Sequence, residues 1–380
     1  MKEVISEKQA IIIMSTYIIG SSAILSAGSQ AKQDIWIAYI IAMVMASIII
    51  AVYGRISSIY LGKNIYEIME LVFGKVIGKI FLLSFMCYSF TLGALVIRDF
   101  AEFVKIVSLP TTPLCIFAYS AVVLIIWAAR ESIEVLGRFL SIFFPIYILM
   151  ISTVTLLSSS LFEFDNLKPV LYDGFKPVLE ASYSIFTFPF AEVVVFLSIM
   201  GNLNKNGSIY KVYYCSLLIG GIVLFVIAVR SLLVLGVPSK LLQYFPSYTS
   251  TRTIRVGTFL QRIEASIAIV FMISGFTKTT VCLHAATKGL AHLFNIKNYH
   301  RIAAPVGILM ALYSLYMYGD AVKMSEWTAE IYPYYAIPHQ IIYPVLVWIA
   351  AEIKSRITGK NNATLTEDTG NTELSESNSS

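Results

Sequence analysis

The sequence predicts an all-α membrane protein of ten transmembrane helices, arranged as two inverted halves of five with the first helix of each half broken. Three observations predict it. Of 380 residues, 57% are hydrophobic and 13% charged, about half the charge fraction of soluble globular chains. Apolar runs near the roughly 20 residues that a crossing helix needs recur along the whole chain. The first and sixth runs carry helix-breaking residues at matching places. This composition excludes a water-soluble enzyme, and with no Gly repeat and only four Cys it excludes fibrous and disulfide-stapled classes. The net charge of +5 does not point to nucleic acid, because Lys and Arg are scattered between apolar runs without a basic stripe.

Taken in order, the expected spans are residues 9–30, 35–53, 79–104, 111–129, 139–158, 177–201, 212–237, 259–285, 302–318 and 334–352. Backbone polar groups in lipid must pair within a segment, and these runs are too long and evenly apolar for barrel strands. With the N-terminus in the cytosol, sixteen of the 28 Lys and Arg fall on the cytosolic side, nine on the opposite side, and Arg98, Arg230 and Lys278 within spans. The positive-inside rule then places both termini in the cytosol. Residues 55–78 mix apolar and charged side chains in the manner of an interfacial helix. The Tyr-, Ser- and Arg-rich stretch 237–258 is expected to cap the external side. Residues 1–358 form one ten-helix domain, with repeats of about 9–158 and 177–352, and residues 359–380 a solvated cytosolic tail.

The breaks have physical causes. Span one contains Gly20-Ser21-Ser22, followed by Ser26, Ala27, Gly28 and Ser29, and span six contains Phe188-Pro189-Phe190-Ala191-Glu192. Pro removes a backbone donor and clashes with the preceding turn, while Gly and Ser permit unwinding. Paired breaks that open two inverted halves mark a substrate site near the bilayer midplane; a single break is as often a kink or a close-packing point.

Charges within spans are expensive and point to function. Glu192 sits just past the Pro189 break and is expected to hold a proton or meet a substrate ammonium; the plainer alternative is a buried carboxyl that stabilises the break. Arg98 and Glu102, four apart, are expected to pair on one helix face in a structural or gating role, with Asp99 between them. Lys278, about seven residues from the expected end of span eight, either snorkels to the interface or stands as a fixed cation between spans one and eight in place of a coupling ion. Arg230 and Glu264 face a similar choice near the external surface. Phe186, Phe188 and Phe190 could line a pocket, and the Tyr-rich run Tyr332-Pro333-Tyr334-Tyr335 reads as part of an interfacial belt. His284, His292, His300 and His339 form no ligand set, the four Cys show no metal spacing, and hydrolase, protease and phosphate-loop motifs are missing from the sequence. No metal or cofactor is expected.

Several pieces, in their order, carry a family likeness: Ile5-Ser6 with Gln9; Gly74-Lys75-Val76-Ile77-Gly78; Leu109-Pro110-Thr111-Thr112-Pro113; the run from Ala129 to Arg138; Leu167-Lys168-Pro169; Phe190-Ala191-Glu192; and Arg262-Ile263-Glu264. In these residues the chain resembles the B subunits of the nutrient germinant receptors of bacterial endospores, a branch of the amino acid/polyamine/organocation permease superfamily. The resemblance implies a LeuT-like fold with a small-molecule pocket between broken helices one and six. It also implies assembly with a receptor A subunit and a C-subunit lipoprotein in the spore inner membrane. By carry-over, backbone at Gly20, Ser21 and Ser22 would receive a substrate carboxylate, and Phe188, Pro189 and Glu192 the amine and side chain of a germinant such as an amino acid. Span one reads Gly-Ser-Ser-Ala where permeases are usually richer in glycine. Three functions fit: a germinant sensor, a proton-coupled amino acid transporter, or a channel component of the germination complex.

Overall fold

The computed structural model describes residues 3–25, 27–204, 206–254 and 263–357. Ser26, Arg262, residues 255–258 of the expected external cap and the tail 359–380, all named above, lie outside the described residues. The described chain is helical apart from its connections and one parallel bridge between Ile5 and Leu203.

Ten helices organise it: α1 (Glu7–Ile19), α2 (Ile35–Ile59), α3 (Ile65–Val107), α4 (Leu114–Arg130), α5 (Ile133–Ser158), α6 (Lys176–Ile185), α7 (Ile209–Leu241), α8 (Pro246–Arg252), α9 (Glu264–Leu293) and α10 (Ala303–Tyr316), followed by the helical run Ala321–Ile357. Local chemistry sets many of the ends. Ser6 and Gln9 form a capping box at the start of α1, Asn64 and Glu67 another at α3, and Ser132 and Ser208 cap α5 and α7. Pro177 occupies the first turn of α6, where its missing N–H costs nothing.

Seven helical stretches among the described residues are long and apolar enough to cross a membrane. The first, fourth and ninth expected spans correspond to shorter helices of 13, 17 and 14 residues. Residues 55–78, expected to form an interfacial helix, divide instead between the end of α2 at Ile59 and the first part of α3, which turns sharply at Gly74. The eighth span runs on to Leu293, so Lys278 stands at mid-helix and not near its end.

The packing carries the inversion. Inverting two halves of five exchanges span one with six and two with seven, so a contact between one and seven implies one between six and two. Both are present, as α1 on α7 and α2 on α6. The self-paired contacts, α3 with α9 and α4 with α10, are also present. The outer surface is apolar, as a lipid-facing surface must be: Ile40, Val44 and Ile48 on α2 and Ile142, Ile146 and Leu149 on α5 face outward, while Arg98, Glu102, Glu192 and Lys278 are buried inside. On α9 the hydroxyls of Thr277, Thr279 and Thr287 bond back to carbonyls one turn earlier at 2.8–2.9 Å, which satisfies them without a partner helix.

The face bearing the N-terminus is stitched shut. Ile5 exchanges backbone hydrogen bonds of 2.9 Å with Asn202 and Asn204. Glu3 accepts from Tyr299 and from Asn202 Nδ2, and Lys211 pairs with Glu7 at 2.6 Å. Burial and the Glu3 carboxylate hold the Tyr299 phenol well above its ordinary range, which keeps it a donor.

Candidate functional site

Both expected breaks exist, and they meet. α1 stops at Ile19; Gly20 takes φ 32 and ψ −136, and Ser21–Ala23 form a single tight turn beyond it. A Cβ at Gly20 would lie 2.6 Å from Lys278 Cδ and 2.7 Å from the Tyr17 carbonyl, so glycine is required both by conformation and by space. The freed Gly20 carbonyl accepts from Ser274 Oγ at 3.0 Å. A single glycine is enough to break the helix here.

The sixth span unwinds at Phe188, with φ −134 and ψ 106, just before Pro189. Helix ends inside a membrane must find other partners for their backbone groups, and here tyrosine and glutamine side chains provide them. Gln340 Nε2 donates to the Thr187 carbonyl at 2.9 Å, Tyr53 OH to that of Ala191 at 3.4 Å, and Tyr17 OH to that of Glu192 at 3.3 Å.

Glu192 and Lys278 are both fully buried and form an ion pair between Oε2 and Nζ. The ammonium also lies 4.8 Å from the centre of the Phe188 ring and 5.4 Å from that of Tyr17, a distance at which ring faces attract cations. The other Glu192 oxygen accepts from Tyr332 OH. Tyr332 and Tyr88 hydroxyls are 3.3 Å apart, and Gln340 Nε2 donates to Tyr88 OH at 2.9 Å. A buried polar chain therefore runs from α9 through the sixth-span break to α3 and the C-terminal helical run. Lys278 does not snorkel.

Of the residues singled out in the sequence, Ser21, Phe188 and Glu192 line one small cavity, together with Asp99, Trp327 and Tyr332. Gly20 and Pro189 form the breaks behind that wall, and Ser22 is buried with no hydrogen-bond partner for its hydroxyl among the described residues. The cavity measures about 10 Å³, near the roughly 10–15 Å³ that one water occupies, so both breaks close over it. Leu25, Phe188 and Thr328 also border a vestibule of about 380 Å³ on the face opposite the N-terminus, and they form the plug between the two. Phe186 and Phe190 are buried in packing; Phe190 meets Tyr39 edge-on at 6.2 Å.

Arg98 and Glu102 belong elsewhere. Arg98 donates to Glu102 Oε1 from Nη2 at 2.7 Å and from Nε at 3.0 Å, and its Nη1 reaches the Ser314 and Leu315 carbonyls at 3.2 Å. The pair is a brace from α3 to the end of α10; only Asp99 between them turns to the cavity. Glu102→Gln is expected to lower stability by about 3–5 kcal/mol, the usual effect of removing one partner of a buried pair, while leaving ligand affinity within about twofold; thermal unfolding and ligand titration of the purified chain check both. Arg230 is buried and donates to the Ser247 carbonyl and hydroxyl at 3.2 and 2.9 Å.

Sequence reasoning missed Tyr332, Tyr88, Tyr17, Gln340 and Trp327. The sequence pattern places Tyr332 in an interfacial belt, yet only 2% of its surface is exposed. A signal was present: Gln340 is an amide inside an apolar run, and Tyr332 lies eight residues earlier, two turns away on the same helix face.

A family model described as spore germination protein matches residues 4–321. Spore germination protein KB of Bacillus subtilis (strain 168) is 30% identical over 362 residues, which is 93% of this chain and 95% of that protein. Spore germination proteins A2 and B2 of the same organism are 23% and 21% identical, covering 78% and 92% of this chain and 80% and 95% of their own lengths. Among solved structures, MhsT in complex with L-phenylalanine superposes with a TM-score of 0.63 at 10% identity, over 94% of this chain and 98% of that one. The nucleobase-cation-symport-1 transporter Mhp1, closed with bromovinylhydantoin bound, gives 0.63 at 13% identity, over 94% and 91%. The chain thus shares the LeuT-like transporter fold.

Proposed function

The chain belongs to the spore germination protein family, and from that membership we propose that it is the nutrient-binding membrane subunit of a spore germinant receptor. The observation that carries the reading is the meeting of two broken helices at a buried Lys278–Glu192 pair, beside a cavity closed by a thin plug from a solvent vestibule. The solved neighbours of this fold hold small organic molecules, and an amino acid is the ligand that this site's chemistry suits. Its carboxylate would meet the backbone at Gly20, Ser21 and Ser22. Glu192 would take the amine, with the side chain packed against Phe188 and Pro189. Lys278 supplies a fixed cation between the first and eighth spans, and Arg98 with Glu102 braces the frame against which the halves move. Ten crossings, repeats of about 9–158 and 177–352, and cytosolic termini complete the proposal, with the vestibule then facing outward. A receptor A subunit and a C-subunit lipoprotein in the spore inner membrane would read the movement.

Ligand sites for small molecules usually measure roughly 300–1,000 Å³, so binding requires the plug to open. The nutrient then shifts the equilibrium by its preference for the open arrangement. The fold itself favours one second reading, a transporter using Glu192 as its proton carrier. Calorimetry of the purified chain against amino acids, sugars and nucleosides, with uptake of the same solutes by proteoliposomes, separates the two. Saturable amino acid binding without uptake is expected; uptake by this chain alone would establish transport, and no binding to any of the panel would end the nutrient assignment.

A further inference from the structure

The vestibule holds a charge that the described residues do not answer. α7 kinks at Gly236, where Asn166 Nδ2 clasps the Leu233 carbonyl at 3.1 Å. The turn beyond the kink brings Lys240 into the vestibule wall, with only 6% of its surface exposed. Lys32, the other basic residue on that wall, is paired with Asp173 at 2.9 Å. Among the described residues no Asp or Glu borders the vestibule, and Lys240 has no acidic partner. Ser26 and residues 255–262 contain no acid either. A buried ammonium without a counter-ion is costly, and in the wall of a cavity that cost is offset by an anion that the cavity admits.

We propose that the vestibule is a second ligand site, separate from the inner cavity, that takes a small organic carboxylate with Lys240 as its counter-ion. At about 380 Å³ the space lies within the range of small-molecule sites. Leu25, Phe188, Val237 and Met324 line it beside Lys240, offering apolar surface to a short aliphatic or aromatic body; an inorganic anion leaves that surface uncovered. An anion held there rests on the plug formed by Leu25, Phe188 and Thr328, whatever the inner cavity binds.

Saturation-transfer NMR on the full chain in lipid nanodiscs, at fixed ionic strength, tests this with sodium propanoate and sodium benzoate against propanamide and benzamide. At least one acid is expected to bind saturably and at least tenfold more tightly than its uncharged amide. Lys240→Gln should weaken that acid at least tenfold and Lys240→Arg should retain it, while Lys176→Gln, an exposed lysine outside the vestibule wall, leaves it unchanged. Equal binding of acid and amide by the unsubstituted chain overturns the proposal without reliance on any variant. So does undiminished acid binding by a folded Lys240→Gln chain, or an equal loss in Lys176→Gln, which would reduce the effect to general surface charge.

Discussion

Lys278→Met alone is expected to lower the stability of the purified chain by about 3–5 kcal/mol, because it leaves the Glu192 carboxylate buried without its counter-charge. Glu192→Met alone should do comparable damage by stranding the ammonium. The double substitution should recover most of the loss, since two apolar side chains of similar length replace an ion pair whose desolvation offset much of its attraction. Such a double variant would be folded yet blind to nutrient, and that combination separates a functional pair from a merely structural one. Thermal unfolding and ligand titration of the three variants measure it. Single variants within about 1 kcal/mol of the parent would sink the idea that the pair is isolated from water, and a double variant with normal nutrient affinity would remove both residues from recognition.

The second large effect is expected at Gly20. Its φ of 32 with ψ −136 is a sparsely populated backbone conformation in which a side chain costs about 1–3 kcal/mol, and its would-be Cβ collides with Lys278 Cδ and the Tyr17 carbonyl. Gly20→Leu should therefore abolish nutrient binding and sharply reduce accumulation of folded protein, because the new side chain displaces the lysine from Glu192. Gly174→Ala is the informative control: Gly174 has φ 80 but open space around it, so only the conformational cost applies and binding should persist. Equal behaviour of the two variants would show that crowding at Gly20 is irrelevant.

Much of this arrangement was legible in the sequence because bilayer thickness imposes run length, and because Gly20 with its serines and Pro189 are residues with a mechanism for breaking helices. Helix ends were harder. Residues 286–293, with Thr287, Lys288, Gly289 and His292 among them, fall beyond the expected end of span eight, yet they continue α9 against α3, and this moves Lys278 from the expected edge to the centre. The partner of Glu192 could not be read either, since the two charges are 86 positions apart and only the folding of the sixth span onto α9 unites them. Tyr332 illustrates the same limit: statistics of aromatic belts say nothing about which way one tyrosine turns.

If the chain senses a nutrient as proposed, the plug over a cavity fit for one water also sets how faint a signal it can register. If open molecules make up about 1% of the resting population, half-maximal response falls at a concentration about 100-fold above the intrinsic dissociation constant. Traces of nutrient then go unheeded and false alarms are rare. Trimming Thr328, which borders both spaces and contacts no part of the proposed ligand, would lower that threshold, and a more easily roused variant with unaltered preference among nutrients is how such a change would announce itself.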